Sequence, residues 1–338
     1  MNGLSYLQAI VLGALQGVTE LFPVSSLGHS VLVPAWLGGS WADLITQGTT
    51  QDSGASPYLT FVVALHVATA LALLVFYRHD WARLIGGFIT SVRARRIQTP
   101  TQRLAWLVVV ATIPVGITGL ALEHVLRTLF ARPLASAVFL FLNGFILLGG
   151  ERLRRRAAER SSAHRVLDGS GADAPSPGEW PARGTHAGGR SAGGRSDLAV
   201  RTAPVTTRFP RRDLSTLAFR EALVVGAVQT FALLAGISRS GVTMVAGLAR
   251  GLDHEEAARF SFLLATPVIL AAGVLKLPSL AGPAGHGIHG QVLVGAIVAG
   301  VAAYASLRFL TRWFTTRTLT PFAVYCLAAG ALSIVRFA

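Results

Sequence analysis

Apolar positions dominate this chain in runs of about twenty, and polar residues are gathered between the runs. Six segments, about 59–77, 104–122, 132–150, 260–277, 292–310 and 319–336, are continuous enough to cross hydrocarbon as single helices. Two further apolar segments, 4–38 and 217–251, are interrupted near the middle. Phe22-Pro23-Val24-Ser25-Ser26-Leu27-Gly28-His29 breaks the first, and Ala235-Gly236-Ile237-Ser238-Arg239-Ser240-Gly241 breaks the second. Each predicts a helix, a polar turn and a second helix. Backbone outside a helix is tolerated at membrane depth only within protein or beside a water-filled cavity, so both segments are expected to be re-entrant hairpins.

The expected fold class is therefore an all-α polytopic membrane protein with an inverted-topology repeat. Each half is one re-entrant hairpin plus three transmembrane helices. Residues 1–150 form the first repeat, 151–216 a basic cytoplasmic linker and 217–338 the second repeat. The repeat is visible in the residues. Gln8-Ala9-Ile10-Val11-Leu12-Gly13-Ala14-Leu15-Gln16 aligns without gaps on Glu221-Ala222-Leu223-Val224-Val225-Gly226-Ala227-Val228-Gln229. The same offset of 213 residues pairs Ser25 with Ser238 and Gly28 with Gly241. Inverted halves place a binding site near the midplane, at the ends of broken helices.

Composition agrees with the class. Hydrophobic residues make up 52% and charged residues only 14%, against about a quarter charged in soluble domains. The net charge of +14 would suggest nucleic acid in a soluble chain. Here it reads as basic cytoplasmic loops, and no nucleic-acid partner is expected. Arginines crowd 78–103, 151–220 and 311–318, which are expected inside, with 40–58 and both termini outside. The first hairpin then enters from outside and the second from inside. Residues 157–212, rich in Gly, Ser, Arg and Pro, carry too little apolar surface to repay ordering and are expected to be disordered. The single cysteine, Cys326, excludes an intrachain disulfide. The apolar N-terminal run lacks a basic start and leads into Glu20 and Pro23, which argues against a cleaved signal peptide.

Against this background a few polar residues stand out. Glu20 is a carboxylate inside an apolar segment, where an ionisable group is by default a functional candidate; a helix-capping Glu near the interface is the plainer alternative. Arg239, at the second hairpin tip, offers a planar fork of donors suited to phosphate oxygens. Ser238, Ser240 and Thr243 surround it, and the following helix aims free N–H groups and its positive end at the same place. Ser25, Ser26 and Gly28 repeat that arrangement in the first hairpin. Two facing helix starts, an arginine and several hydroxyls make a diphosphate cradle. His29, beside Glu20, would serve as general base, acid or nucleophile. His66, in the 59–77 span, either lines the cavity or is a satisfied buried histidine.

These residues resemble a known family. Gln16-Gly17-Val18-Thr19-Glu20 followed by Pro23-Val24-Ser25-Ser26-Leu27-Gly28-His29 is similar to the first signature of the bacitracin-resistance undecaprenyl-diphosphatases. Ala235-Gly236-Ile237-Ser238-Arg239-Ser240-Gly241-Val242-Thr243 resembles their second, and Phe260-Ser261-Phe262-Leu263-Leu264-Ala265-Thr266-Pro267 a further shared block. The resemblance covers nearly the whole chain outside 157–212. It implies a bacterial plasma-membrane enzyme, usually dimeric, with two re-entrant hairpins. It implies hydrolysis of undecaprenyl diphosphate, the lipid carrier of peptidoglycan synthesis, to undecaprenyl phosphate and phosphate at a site open to the outer face. Glu20, Ser26, His29 and Arg239 match the catalytic residues. Ser25, Ser238, Ser240 and Thr243 match phosphate-contacting hydroxyls, and Gln16, Gly28 and Gly236 complete the expected substrate-binding set. A divalent cation such as Mg2+ or Ca2+ would be held by Glu20; no organic cofactor is expected.

Three departures qualify the match. Gln16 stands where many members have a second Glu, which weakens a two-carboxylate metal site. Ala235 replaces a motif proline, and Arg259 stands where some members carry Glu. Another lipid phosphatase class fails outright, because it needs a lysine-led motif and a histidine where Val245 stands, and the only lysine is Lys276. The competing function is a transporter of an anionic lipid or small anion, since inverted repeats with broken helices are also transporter features. A non-catalytic scaffold would leave these polar groups uncompensated in the bilayer.

Overall fold

The computed structural model describes residues 4–46, 57–122, 132–167, 212–276, 282 and 287–338. Helix α1 (Tyr6–Thr19) starts on a reciprocal cap: Ser5 Oγ accepts from Gln8 N and Gln8 Oε1 accepts from Ser5 N. Residues 20–25 break the chain before α2 (Ser26–Leu37), and the short α3 (Ala42–Thr46) follows. At 14 and 12 residues, α1 and α2 are each about 20 Å long and too short to cross a bilayer core. The second interrupted segment folds alike: α8 (Phe219–Gln229), a turn of 3₁₀ helix, a break over 234–238, then α9 (Arg239–Ala249).

Between and after these lie α4 (Pro57–Phe76), α5 (Arg78–Ala94), α6 (Pro100–Ala121) and α7 (Pro133–Leu167), then α10 (His254–Lys276), α11 (His289–Trp313) and α12 (Thr320–Phe337). Among the described residues six helices are long and apolar enough to span: α4, α6, Pro133–Arg156 of α7, His254–Leu275 of α10, α11 and α12. They coincide with the six expected segments and fit a multi-pass membrane protein. Prolines at the first turns of α4, α6 and α7 remove an N–H that would lack a helical acceptor.

Helix α1 packs along α11, which also packs on α4; α8 packs along α6, and α10 joins α9 to α4. Close approach is obtained with glycine. A Cβ on Gly13 would collide with the carbonyl oxygen of Gly295, and one on Gly226 with that of Ala111. Phe61, Phe260 and Phe262 are among the largest fully buried side chains of the interior.

Two expectations change. The stretch 78–103 is not a plain loop, because α5 occupies most of it and packs on α6 through Phe88 and Trp106, ring centroids 4.9 Å apart. The helix begun by the 132–150 span runs on to Leu167, into the residues assigned to the linker. Arg, Ala and Glu in 151–160 are strong helix formers, and they carry the helix past the membrane-length core. The 40–58 loop beyond residue 46 and the 168–211 part of the linker lie outside the described residues. Arg259 finds an explanation: its Nη2 lies 2.8 Å from Asp80 Oδ1, tying the start of α10 to α5.

Candidate active site

The two breaks between helices meet. A Cβ on Gly28 would lie 2.9 Å from Gly236 Cα, and one on Gly241 would touch Pro23 Cβ at 3.4 Å. Ser25 holds the contact. Its Oγ accepts from its own helix start, Gly28 N at 3.2 Å, and from Gly236 N across the junction at 3.1 Å. Its φ of +70° lies where side chains are rarely found, and Gly236 sits at φ +118°. A non-glycine residue held there costs on the order of 1–3 kcal/mol and persists only when its surroundings demand it.

Asn143 of α7 is the other clamp. Its Nδ2 donates to Pro23 O and its Oδ1 accepts from Ser238 N, both at 3.0 Å. One buried amide thus ties the first break to the second. Ser238 caps α9, its Oγ accepting from Gly241 N at 3.1 Å and lying 3.0 Å from Ser240 Oγ. Ser240 donates to Phe22 O at 3.2 Å, and Thr243 bonds Ser261 Oγ at 2.6 Å and Arg239 O at 2.7 Å. These hydroxyls are near α9's start but already engaged, and they hold its geometry.

Glu20 lies at the junction, 7% exposed, and is the hub of the site. Oε1 accepts from Arg239 Nη2. Oε2 accepts from Ser26 Oγ and, at 3.0 Å, from Gln16 Nε2, and His66 Nε2 lies 3.3 Å away. Both carboxylate oxygens are therefore satisfied, as a buried charge requires. Arg239 Nη1 and Gln16 Oε1 are buried without a hydrogen-bond partner among the described residues. Two side chains bonded to the carboxylate thus keep one unused donor and one unused acceptor, the donor from the group best shaped for phosphate.

Sequence order suggested His29 as the partner of Glu20, and the structure differs. His29 Nδ1 lies 2.7 Å from Ser25 O, and its Nε2 lies 2.7 Å from the hydroxyl of Tyr325 on α12, with the rings stacked at 5.7 Å. A carbonyl only accepts, so Nδ1 carries the proton, and Tyr325 O–H donates to Nε2. His66 takes the place expected of His29. Its Nδ1 donates to Val62 O at 2.8 Å, one helical turn back, which turns Nε2 toward Glu20.

Of the expected catalytic residues, Ser26 and Arg239 meet Glu20 directly, with Gln16 bonded to it from α1, while His29 sits in the first turn of α2 and faces Tyr325; Ser25, Gly28, Gly236, Ser238, Ser240 and Thr243 lie about the two helix starts. Asn143 and Tyr325 were not anticipated. The available signal was a polar side chain within an apolar span for each, and it names no partner.

Comparison with known proteins bears on this arrangement. Undecaprenyl-diphosphatase 2 of Frankia alni is 64% identical over 343 aligned positions, covering 100% of this chain and 99% of that protein. Undecaprenyl-diphosphatase 1 of Frankia casuarinae is 52% identical, covering 100% and 99%. Undecaprenyl-diphosphatase of Mycolicibacterium paratuberculosis is 54% identical, covering 98% and 97%. The family described as bacitracin resistance protein BacA matches residues 9–171 and 198–332, which takes in both breaks, five of the six long helices, α12 as far as residue 332, and every residue of the Glu20 cluster. The chain belongs to the bacitracin resistance protein BacA family.

Proposed function

We propose that this protein hydrolyses undecaprenyl diphosphate to undecaprenyl phosphate and inorganic phosphate, as the names of its relatives say of them. Bacitracin resistance follows from the family description, and recycling of the lipid carrier for cell-wall synthesis from the reaction. The observation that carries the reading is the contact of Ser26 Oγ with one oxygen of Glu20 while Arg239 holds the other. It is a nucleophile on a base beside a phosphate-binding cation. A transporter needs the cation and the helix starts but has no use for that pair.

In this reading Arg239, through its unused Nη1, and the N–H groups opening α2 and α9 receive the diphosphate. Ser26 Oγ attacks the terminal phosphorus as its proton passes to Glu20 Oε2. The bond from phosphorus to the bridging oxygen breaks, and lipid monophosphate leaves with the electron pair. Glu20 hands that proton to the departing monophosphate and is a carboxylate again; water then displaces Ser26 from phosphorus, losing a proton to Glu20, which returns it to Oγ. Ser26 is preferred to His29 as nucleophile because both ring nitrogens of His29 are engaged. His29 and Tyr325 hold the start of α2, and His66 and Gln16 hold Glu20 in line.

A resident divalent ion does not fit the donor set. Glu20 is the only carboxylate in the cluster, both its oxygens are bonded, and the described residues contain no group of three His, Cys, Asp or Glu able to hold a metal. Mg2+ or Ca2+ would arrive with the diphosphate, whose oxygens would supply most of its ligands.

The inverted repeat belongs to this reading, with repeats at 1–150 and 217–338, the 151–216 linker between them, and both interrupted segments re-entrant. Its support is pairwise. Gly13 and Gly226, 213 residues apart, each admit a long helix, and Gly28 on Gly236 is matched by Gly241 on Pro23 at the same offset. A homodimer in the bacterial plasma membrane with the site open to the outer face completes it; the arginine-rich 78–103 and 311–318 segments favour that orientation. Purified protein should release phosphate from a polyprenyl diphosphate, and Glu20→Gln should not. Binding without release would move the reading to transport.

A further inference from the structure

Helix α5 is not one of the six spans, yet it presents a water-averse face to the outside of the bundle. One side is committed to the protein. Leu84 and Ser91 are buried, Trp106 Nε1 donates to Ser91 Oγ at 2.9 Å, and Gln102 Nε2 donates to Thr90 Oγ1 at 3.2 Å. A second stripe is apolar and uncovered: Ile85 is 53% exposed, Ile89 43% and Val92 50%, at the i, i+4, i+7 spacing of one helix face. The remaining side carries Arg83 and Gly86, both exposed.

The charges around the stripe have one sign. Arg78 lies two turns before Ile85 on the same face, Arg93 follows Ile89 by one turn, and Arg96 lies just past the helix end; all three are exposed. Residues 78–96 hold five arginines and one acidic residue, Asp80, and Asp80 is engaged with Arg83 and Arg259. The chain leaves the span α4 at Phe76 and enters the span α6 at Pro100. Helix α5 is thereby held at the level where the spans end, and it leans on the first turns of α6.

We propose that α5 is an interfacial anchor for anionic phospholipid. Ile85, Ile89 and Val92 sink into the boundary between headgroups and acyl chains, and Arg78, Arg93 and Arg96 bind phosphate groups of the same leaflet. Apolar side chains and flanking arginines on one helix face match the two layers of that boundary, and the positive charge selects acidic headgroups. A second copy of the chain would satisfy the apolar stripe but would leave three like charges at its edge.

Ile89→Cys can be labelled with an environment-sensitive dye, because the native Cys326 is buried, and the full-length protein reconstituted in bilayers of phosphatidylcholine with phosphatidylglycerol. Blue-shifted emission quenched by nitroxides on the upper acyl chain is expected. In native mass spectra the triple variant Arg78→Gln/Arg93→Gln/Arg96→Gln should retain phosphatidylglycerol on the order of a hundredfold less than the unmodified protein while keeping phosphatidylcholine, each arginine contributing on the order of a fivefold preference. Water-like emission, or emission that is blue-shifted but untouched by lipid nitroxides as a protein contact would give, overturns the proposal. So does equal phosphatidylglycerol retention in the triple variant. Phosphate release in detergent, whose proposed site residues all lie outside α5, reports that each variant is folded.

Discussion

Ser26 gives its hydroxyl hydrogen to Oε2 of Glu20, six residues back along the chain and across the break between α1 and α2. Helix α1 delivers the carboxylate at its last turn, and α2 delivers the hydroxyl at its first. The break that ends α1 and starts α2 is therefore what brings carboxylate and hydroxyl together. Arg239 closes the arrangement from the start of α9.

Glu20→Gln should lower turnover by on the order of 10²–10⁴, the usual range for losing a positioned acid–base group. The protein should stay folded, because a neutral amide is cheaper to bury than a carboxylate. Arg239→Lys keeps the charge but loses the planar fork, and should remain impaired by about 10²–10³, as for a lost transition-state donor. Single-turnover phosphate release at saturating lipid, with thermal unfolding in detergent as the folding control, measures both. Near-normal rates in both variants would remove the site.

His66 separates positioning from binding. It touches Glu20 at 3.3 Å and no other site residue named above, so His66→Ala should lower kcat by about ten- to a hundredfold through misplacement of the base. KM should change little. His66→Gln, which can still donate to the carboxylate, should recover much of the loss. A change confined to KM would make His66 a substrate contact instead.

The long helices and the two breaks were legible because each is local. A run of twenty apolar residues and a Pro-Ser-Gly cluster announce themselves within a short window. Helix α5 was hidden by its arginines, although Ile85, Ile89 and Val92 carry the helical spacing. The polar residues clustered at the two breaks were legible, and their wiring was not. His29 lies nine residues after Glu20, whereas its actual partner Tyr325 is 296 residues away, and Asn143 reaches Pro23 over 120. Tertiary packing decides such pairs, and one sequence gives no register for it.

The junction between the breaks should be intolerant of volume. At Gly236 an added Cβ would meet Ser136 O at 2.5 Å and Leu140 N at 2.6 Å, at a φ of +118° that penalises any side chain. Gly236→Ala should cost several kcal/mol, combining overpacking with backbone strain. Gly116, which has open space around it, should accept alanine with little change. Unfolding midpoints of the two variants in detergent make the comparison, and equal midpoints would contradict the tight junction.

Inverted halves make a definite statement about sidedness. Ser40, after the first interrupted segment, and Thr316, between the last two spans, are both exposed. Cysteines placed there should be labelled by a membrane-impermeant reagent from opposite sides, Ser40→Cys from outside and Thr316→Cys from inside. Labelling of both from one side would be incompatible with two inverted halves.

The identity of the nucleophile can be settled by asking where phosphate is held. If Ser26 attacks, acid quenching during turnover of a diphosphate labelled on its terminal phosphorus should trap label on the protein. The linkage should survive acid, as a phosphoserine does and a phosphohistidine does not. Ser26→Ala should abolish the trapped label and turnover together. His29→Ala should still trap label, more slowly, because removing the ring deletes the bonds to Ser25 O and Tyr325 and loosens the start of α2 without touching the Ser26–Glu20 contact. Tyr325→Phe, which removes one of those bonds alone, should give a smaller decrease of the same kind. The opposite pattern, acid-labile label that vanishes in His29→Ala and persists in Ser26→Ala, would transfer the nucleophile to the histidine. That outcome would require the His29 ring to leave Tyr325 before it could attack. Tyr325→Phe would then speed phosphorylation rather than slow it, so the sign of that single variant distinguishes the two mechanisms.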